Sequence, residues 1–513
     1  MTMNKFFQHI IIVATSLLAT LSASAQYFNA AEVPDCREFL PGPPSFLESR
    51  FSVDTKQYFY GKEIQKNNPE RAEQIRFDSS WGVPAVANIF SPVLGQEIIA
   101  TKTPRLWALL LNGFTSSGYG ANYKDAIGRI RPCVRYNETP YSAETLTEMK
   151  RSKSYPSAHT CVSWGDGMLL AAVAPHAQER MLRRAYEVGQ SRVYGGMHWQ
   201  SDVTDARYIS SACVARMMCS PTFKTHLEST RQEINKLLLD SLGISEPDYN
   251  AENYYDINHL PNPIEYLDMP IPLDSASVEL AHDMSQYLWG KSIRNTDRGI
   301  KAKFDISSDF DVLANEFSQA LGSEISPYRN TATYNLLKAV VESSDLGCKK
   351  AQQEYQRQRP YSYFKDEAFT FENVDHLTQE GSYPSVNAAR AWTAALIMVS
   401  IAPERQDTLL KVGYELGQSA VITGINWQSD VDAGRIVACA TLSRYLSNPN
   451  FMTLLEAAQE EHANNSRQIV TDQEDITIDK SPEQDLPFYT IDGRRASSES
   501  KGILVSKNKK ILR

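Results

Sequence analysis

The amino-acid sequence predicts an all-α protein made of two helical-bundle domains in tandem. The stretch SRVYGGMHWQSD (191–202) recurs as SAVITGINWQSD (419–430), 228 residues further along the chain. Near each stretch, apolar and small residues follow the i, i+3, i+4, i+7 spacing of a helix, as over 182–189 and 410–417. Alternating β-type patterns are nearly absent from both regions. Each copy is long enough to be a whole domain rather than a short solenoid unit.

The chain begins with features typical of a secretory signal peptide. Lys5 supplies a short positive region, residues 10–21 form an apolar core, and ASA (23–25) offers small residues for cleavage. This apolar run is too short to cross a bilayer comfortably, and no other stretch reaches the ~18 apolar residues of a membrane helix. We therefore expect residues 1–25 to be removed. The mature protein is then exported to the periplasm or the cell surface, without a membrane span.

Polar, proline-punctuated segments divide the rest of the chain. We expect one helical domain over 26–242 and a second over 263–461, called here the first half and the second half. A linker over 243–262 joins them. A second polar, acid-rich linker over 462–486 precedes a tail over 487–513, which has short β-type runs around an Asp-Gly turn.

Composition and charge exclude several classes of protein. The 513 residues are 42% hydrophobic and 22% charged, which is typical of a soluble globular protein. A net charge of −9 does not suit binding to nucleic acid through a general basic surface. The seven cysteines follow no zinc-site spacing, and an odd number leaves at least one thiol without a partner in the chain.

The first half contains three charged motifs in order: KDAIGRIRP (124–132), PSAH (156–159) and SRVYGGMHWQSD (191–202). Each motif has an ordinary structural interpretation when it is taken alone. Lys124 and Arg131 suit a solvated helix face, and His159 suits a partly buried histidine. Asp202 suits a first-turn carboxylate that complements the helix dipole.

Taken together, the basic side chains predict a site for a tetrahedral dianion. Arg131 and Arg192 can each bind phosphate oxygens through two N–H groups, and Lys124 adds a compact positive charge. Ser157 stands at a helix start, where free backbone amides and the helix dipole also favour an anion.

Two histidines supply what phosphoryl transfer through a covalent intermediate requires. One attacks phosphorus and the other protonates the leaving oxygen. Asp202, four residues after His198, can hold that imidazole in the tautomer that attacks. The sequence offers no cluster of metal-binding carboxylates, so we expect no metal and no cofactor, with cationic side chains neutralising the phosphate charge.

The three motifs together resemble the phosphatase signature of the type 2 phosphatidic acid phosphatase superfamily. The shared pattern is Lys-x6-Arg-Pro, then Pro-Ser-x-His, then Ser-Arg-x5-His-x3-Asp. Among the members of that superfamily, the exported bacterial class A acid phosphatases are the most similar. The resemblance covers most of residues 37–235. It implies an α-helical fold of the acid phosphatase and vanadium haloperoxidase type, and metal-free hydrolysis of phosphate monoesters through a phosphohistidine.

By position, the resemblance implies roles for individual residues. His198 is the nucleophile, Asp202 its orienting partner and His159 the general acid. The phosphate is held by Lys124, Arg131, Ser157, Ala158 and Arg192. Ala158 departs from the family, which usually has glycine there. Because alanine keeps the backbone N–H, we expect a modest effect on phosphate contact.

The second half keeps the frame of the site and loses most of its charged groups. At the positions of Lys124, His159, Arg192 and His198 it has, in the same order, Gln352, Asn387, Ala420 and Asn426. Three matching residues persist: Arg359, Ser385 and Asp430. Because asparagine neither attacks phosphorus nor delivers a proton near neutral pH, we expect the second half to be catalytically inactive.

The sequence therefore predicts an exported acid phosphatase that acts on small phosphate monoesters and whose two halves pair within one chain. Two other interpretations stay open. A vanadium haloperoxidase resembles the same signature, because vanadate mimics phosphate in the same set of side chains. A non-enzymatic binding protein is the other, although the complete set of charged residues in the first half argues against it.

The C-terminal tail carries a weaker resemblance. Its Tyr489, Gly493-Arg494-Arg495, Lys501-Gly502-Ile503 and Lys509-Lys510 resemble the short tail of many exported proteins of Bacteroidetes-type bacteria. That resemblance implies a sorting or attachment signal, and a basic, disordered terminus is the alternative.

Overall fold

The structure is a computed structural model that describes residues 26–142, 144–242, 259–374, 377, 379–474, 489–490, 503–506 and 509–512. The predicted signal peptide lies outside the described residues. So does 243–258, most of the first predicted linker. Among the described residues as far as His462, the regular secondary structure is entirely helical, which confirms the predicted all-α fold.

The first half contains twelve described α-helices: α1 Cys36–Phe39, α2 Ser49–Asn67, α3 Pro69–Phe77, α4 Val83–Leu94, α5 Pro104–Gly118, α6 Lys124–Ile127, α7 Pro132–Arg135, α8 Leu146–Arg151, α9 Ala158–Val173, α10 Gln178–Tyr194, α11 Gln200–Met217 and α12 Pro221–Leu242. Short 3-10 turns lie at Ala30–Glu32, Tyr119–Ala121 and Pro175–Ala177.

In the second half the described helices repeat this order: α13 Pro263–Tyr266, α14 Val278–Ser292, α15 Asp297–Asp305, α16 Phe310–Leu321, α17 Thr331–Tyr355, α18 Pro360–Tyr363, α19 Val386–Ile401, α20 Gln406–Ile422, α21 Gln428–Leu446 and α22 Pro449–Glu474. A 3-10 turn lies at Pro403–Arg405. Helix α22 continues into the segment predicted as a polar linker, because neither glycine nor proline interrupts the chain between Pro449 and Pro482.

One difference between the two patterns is a break in the first half. In the first half, α5 ends at Gly118 and α6 begins at Lys124, whereas the single helix α17 covers the same ground in the second half. Gly120 lies in the break and packs closely against α11, since a Cβ there would come within 2.7 Å of the Ile209 side chain. The break places Lys124 at the start of a new turn of helix.

The helices that carry the site begin at capping residues. The Ser157 side chain accepts the backbone N–H of Thr160 at the start of α9, and Ser385 does the same for Ala388 at the start of α19. At the start of α11, the Asp202 carboxylate accepts the backbone N–H of Trp199 at 2.8 Å. Residues with strong capping preference therefore fix where these helices begin.

Helix α9 forms the centre of the first half. Every residue from Thr160 to Val173 is buried, and the helix packs against α5, α10 and α11. Its counterpart α19 is buried from Ala388 to Ile401 and packs against α17, α20 and α21. A helix that is buried on every side needs no polar face toward solvent, which explains its weak amphipathic pattern.

The two halves contact each other through their central helices. Helix α9 packs on α21, and α11 packs on α19. The Tyr208 ring meets the Trp392 ring edge-on at 5.9 Å, and the Tyr208 hydroxyl donates to the backbone oxygen of Asp432 at 3.1 Å. Phe39 also contacts Trp392, with ring centroids 6.3 Å apart. Because each half presents equivalent helices to the other, the contact is close to two-fold symmetric.

The described residues form two compact units, one ending at His462 and the other beginning at Ala463. The second unit contains three short antiparallel strands, β1 Tyr489–Thr490, β2 Ile503–Ser506 and β3 Lys509–Leu512, in the order β1-β2-β3. None of the described helices is both long and apolar enough to cross a membrane. All seven cysteines lie among the described residues and carry free thiols.

Candidate active site

The three predicted motifs come together where α9 and α11 begin and α10 ends. His198 and Asp202 lie at the start of α11, Ser157 caps α9, and Arg192 lies in the last turn of α10. His198, Asp202 and Arg192 are almost completely buried, at 1%, 0% and 1% exposure. Side chains that lie up to 45 positions apart in the chain, from Ser157 to Asp202, thus share one small volume.

His198 has its two ring nitrogens in different surroundings. Nε2 lies 3.0 Å from Nη1 of Arg131, and Nδ1 lies 3.5 Å from a carboxylate oxygen of Asp202. Because a guanidinium can only donate, Nε2 must be the accepting nitrogen, and the ring proton belongs on Nδ1, facing Asp202. Burial, reinforced by the nearby charge of Arg131, holds the pKa of His198 well below its usual value. The imidazole is therefore neutral, with the Nε2 lone pair directed toward the arginine.

Asp202 is held by three donors besides its contact with His198. Arg129 donates to one oxygen at 2.5 Å, while the Ser154 hydroxyl and the Trp199 backbone N–H donate to the other at 2.5 and 2.8 Å. Burial alone would raise the pKa of this carboxyl, but Arg129 and the hydrogen bonds hold it below its ordinary value. Asp202 is a fixed negative charge at every relevant pH.

Arg131 is positioned by the loops that precede α9 and α11. Its Nη1 donates to the Met197 backbone oxygen at 2.8 Å, and its Nη2 donates to the Ser152 hydroxyl at 2.8 Å. Burial, together with the charge of Arg192, lowers the pKa of Arg131 to about 10, so the side chain stays charged at neutral pH. Such a confined cluster of cations repels itself, and an anion would relieve that repulsion.

Lys124 reaches the same region from α6. Its ammonium group donates to the backbone oxygens of Ser154 at 3.0 Å and Lys153 at 3.2 Å. Burial, then the charge of Arg131, lowers the pKa of Lys124 to about 7. Lys124 is therefore a cation whose charge changes close to neutral pH.

Arg192 has one fixed partner. Its Nη2 donates to the Glu144 carboxylate at 2.7 Å. Its Nε and Nη1 are buried and find no hydrogen-bond partner among the residues that the structure describes. Buried N–H groups are usually satisfied, so two unpaired donors on a buried guanidinium point to an anion that completes them.

His159 lies in the first turn of α9, under an aromatic side chain. Its Nε2 is 3.2 Å from the Ser79 backbone oxygen, and its ring packs against Trp81 with centroids 4.6 Å apart. Burial, followed by the charges of Arg192 and His198, holds the pKa of His159 well below its usual value. Without an anion nearby, His159 is neutral.

Ser157 and Ala158 form the start of α9. The Ser157 hydroxyl accepts from the Thr160 hydroxyl at 2.9 Å, and its backbone N–H donates to the Asp202 backbone oxygen at 3.1 Å. Ala158 is the first helical residue, where backbone N–H groups have no partner within the helix.

Two residues that position the site were not predicted from the sequence. Arg129 donates to Asp202 and also to Asp54 at 2.7 Å, and Asp54 accepts the backbone N–H and hydroxyl of Ser201, both at 2.7 Å. The sequence does carry a signal for them. DTKQYFYGK, which begins at Asp54, recurs as DMSQYLWGK from Asp283, and Arg129 recurs as Arg357.

The second half preserves this positioning network. Arg357 donates to Asp430 at 2.5 Å and to Asp283 at 3.0 Å, matching Arg129 with Asp202 and Asp54. The histidine is replaced by Asn426, whose amide donates to the Ser382 backbone oxygen at 2.7 Å. The frame of the site is thus retained without the histidine.

Other replacements in the second half fill the places of the cations. Gln352 donates to the Pro384 backbone oxygen at 3.0 Å, and Ala420 is completely buried. Arg359 is held by the backbone oxygens of Leu377, Gly381 and Ile425 at 3.1 to 3.2 Å. A single cation at these positions therefore remains, and backbone carbonyls engage it.

Comparison with known proteins gives consistent matches. Residues 103–225 match the family described as the PAP2 superfamily, and these residues contain all three motifs. Over 196 residues the chain is 39% identical to a non-specific acid phosphatase of Providencia stuartii, covering 38% of this chain and 79% of that protein. It is 34% identical over 232 residues to a non-specific acid phosphatase of Salmonella typhi, covering 45% of this chain and 91% of that protein.

Proposed function

This chain belongs to the PAP2 superfamily, and on that premise we propose that its first half is an exported, metal-independent acid phosphatase that uses a phosphohistidine intermediate. The relatives named as non-specific acid phosphatases support the class of reaction. The proposed substrates are small phosphate monoesters.

One observation supports the proposed chemistry above all others. The Nε2 lone pair of His198 faces the Arg131 guanidinium at 3.0 Å, and the two unpaired N–H groups of the buried Arg192 belong to the same cluster of cations. A phosphoryl group bound by these cations would present its phosphorus to a neutral imidazole.

The proposed reaction has two steps. In the first, His198 Nε2 forms a bond to phosphorus while the ester P–O bond breaks and His159 gives its proton to the leaving oxygen. In the second, water gives a proton to His159 and attacks phosphorus, the N–P bond breaks, and inorganic phosphate leaves. Lys124, Arg131 and Arg192 would neutralise the charge on the three remaining phosphate oxygens.

The surroundings of the two histidines favour opposite protonation states once phosphate binds. His198 must be neutral to attack, and its burial beside Arg131 provides that state. His159 must carry a proton, yet its burial near Arg192 disfavours one in the free enzyme. Binding of a dianion supplies the missing negative charge, so we infer that His159 takes up its proton together with the substrate.

We infer that the second half is catalytically inactive and supports the first half by packing against it. Asn426 and Asn387 stand where the proposed nucleophile and acid stand in the first half. The contacts of Tyr208 with Trp392 and Asp432 support a packing role. Export is inferred from the pattern of residues 1–25.

The decisive experiment compares His198→Ala with the matched variant Asn426→Ala. His198→Ala should abolish hydrolysis of an aryl phosphate, and acid quenching after brief exposure to labelled substrate should show phosphate on His198 in the parent protein. Asn426→Ala should keep full activity. Normal turnover in His198→Ala would exclude the proposed mechanism.

Metal independence has its own test. Activity should be unchanged after dialysis against a chelator, and vanadate should inhibit by occupying the proposed phosphate site. A loss of activity that a divalent cation restores would mean that a metal takes part.

A further inference from the structure

A cavity of about 370 Å³ lies over the altered site of the second half. Its volume falls within the range of small-molecule pockets. Its walls include Gln352, Arg359, Asn387 and Asn426, the counterparts of the proposed catalytic and phosphate-binding residues. The second half has thus lost two cations and both histidines of the first half, and a cavity lies at the altered positions.

Carboxamide side chains dominate the polar part of this cavity. Among the described residues that line it, six are glutamine or asparagine: Gln352, Gln353, Gln356, Gln379, Asn387 and Asn426. Only Gln356 matches a residue that is not ionisable, Gly128. The other five stand where the first half has, in the same order, Lys124, Asp125, Arg151, His159 and His198. An ionisable residue has become a carboxamide at five positions around one cavity. Inactivation alone would not require the same type of side chain each time.

The charges of the cavity do not favour an anion. Its described lining has three basic and three acidic side chains, and Arg359 is held by three backbone oxygens. Ala420 replaces Arg192 and Gln352 replaces Lys124, so two of the three cations proposed to bind phosphate are missing. A dianion would find little compensation here.

Two charged groups appear at positions that are uncharged in the first half. Arg390 and Asp345 stand at the positions of Val162 and Ser117, with Arg390 Nε 3.6 Å from a carboxylate oxygen of Asp345. Those two buried atoms make no hydrogen bond among the described residues. Arg390 Nη2 is anchored on the Ser308 backbone oxygen at 2.9 Å. The cavity wall therefore contains an ion pair that has no counterpart in the first half.

We propose that this cavity binds a neutral, hydroxyl-rich small molecule, a sugar or another polyol. A carboxamide both donates and accepts hydrogen bonds, as an alcohol hydroxyl does. Backbone oxygens already accept from the amides of Gln352, Gln356 and Asn426. The carboxamides of Gln353, Gln379 and Asn387 are therefore the ones that would match the hydroxyls of a ligand. The proposal concerns binding in the second half and does not depend on catalysis in the first.

The test measures binding of D-glucose, myo-inositol and inorganic phosphate to the whole mature chain by calorimetry and ligand-observed NMR. At least one polyol should bind with a Kd of about 1 mM or tighter. Asn387→Asp and Gln353→Glu are isosteric, so they preserve shape while removing the N–H donors. Each should weaken polyol binding at least about tenfold. His159→Asn, at the matching position of the first half, should leave polyol binding unchanged.

Three results would overturn the proposal. One is that neither polyol binds. Another is that His159→Asn reduces polyol binding as much as Asn387→Asp does, which would place the site in the first half. The third concerns Asn387→Asp made in the His198→Ala background. The proposal is overturned if this second substitution weakens the binding of phosphate and leaves the binding of the polyol unchanged.

Discussion

Replacing Arg129 with methionine should affect stability and catalysis together, while the equivalent change in the second half should affect stability alone. Arg129 donates to Asp54 at 2.7 Å, to Asp202 at 2.5 Å and to the Ser201 hydroxyl at 2.8 Å. Both carboxylates are at most 1% exposed, so Arg129→Met leaves two buried negative charges without their partner. Breaking a buried ion pair in this way lowers the free energy of unfolding by about 3–5 kcal/mol.

Arg357→Met provides the matched control. Arg357 makes the same three kinds of contact, to Asp283, Asp430 and the Ser429 hydroxyl. We expect a loss of stability of similar size, again about 3–5 kcal/mol, measured by urea denaturation.

The catalytic effect should differ between the two variants. Without Arg129, the uncompensated Asp202 raises the pKa of His198 and favours an imidazolium that cannot attack phosphorus. We expect kcat for an aryl phosphate to fall at least about a hundredfold, a typical contribution of acid–base positioning. Arg357→Met should keep kcat within about twofold of the parent value when both are folded. Equal losses of kcat in the two variants would refute this account, and so would unchanged stability in both.

Three further predictions follow from the same geometry. In pH–rate profiles, kcat/KM should fall as pH rises through about 7, because Lys124 loses its charge there. Lys124→Gln should be slower throughout and lack that limb, whereas a limb that persists in this variant would have another origin. Glu144→Gln frees Arg192 from its 2.7 Å ion pair, so inorganic phosphate should inhibit up to about fivefold more tightly, and weaker inhibition would contradict this. Residues 26–242 expressed alone should self-associate or melt below the whole chain, and a monomer of unchanged melting temperature in sedimentation and calorimetry would count against a packing role for the second half.

Much of the fold and the placement of the motifs could be predicted from the sequence, because local signals carry them. Ser157 and Ser385 are strong capping residues, and each begins a helix where the pattern indicates. The Trp-Gln-Ser-Asp repeat predicts two equivalent helix starts, and the structure has both. These features depend on neighbours a few residues away, so the order of the residues is enough to specify them.

Other features of the site were not predicted, because they depend on residues far apart in the chain. Asp54 is 147 positions from Ser201, and Glu144 is 48 positions from Arg192. Such pairs are decided by how helices pack, which no single motif reveals. The repeat of DTKQYFYGK as DMSQYLWGK was an available signal for Asp54, although it does not identify Arg129 as the partner.

The sequence by itself determined which chemical groups stand at the matching site positions: two histidines and three cations in the first half, and carboxamides, an alanine and one arginine in the second. The tertiary structure decided how those groups behave. Burial makes the His198 imidazole neutral and brings the pKa of Lys124 to about 7, and the packing of Arg129 holds Asp202 charged. It also leaves a cavity in the second half where the charges were lost. The physical reason is that protonation, anion affinity and cavity shape depend on the surrounding dielectric and on neighbouring charges, and folding alone brings these together.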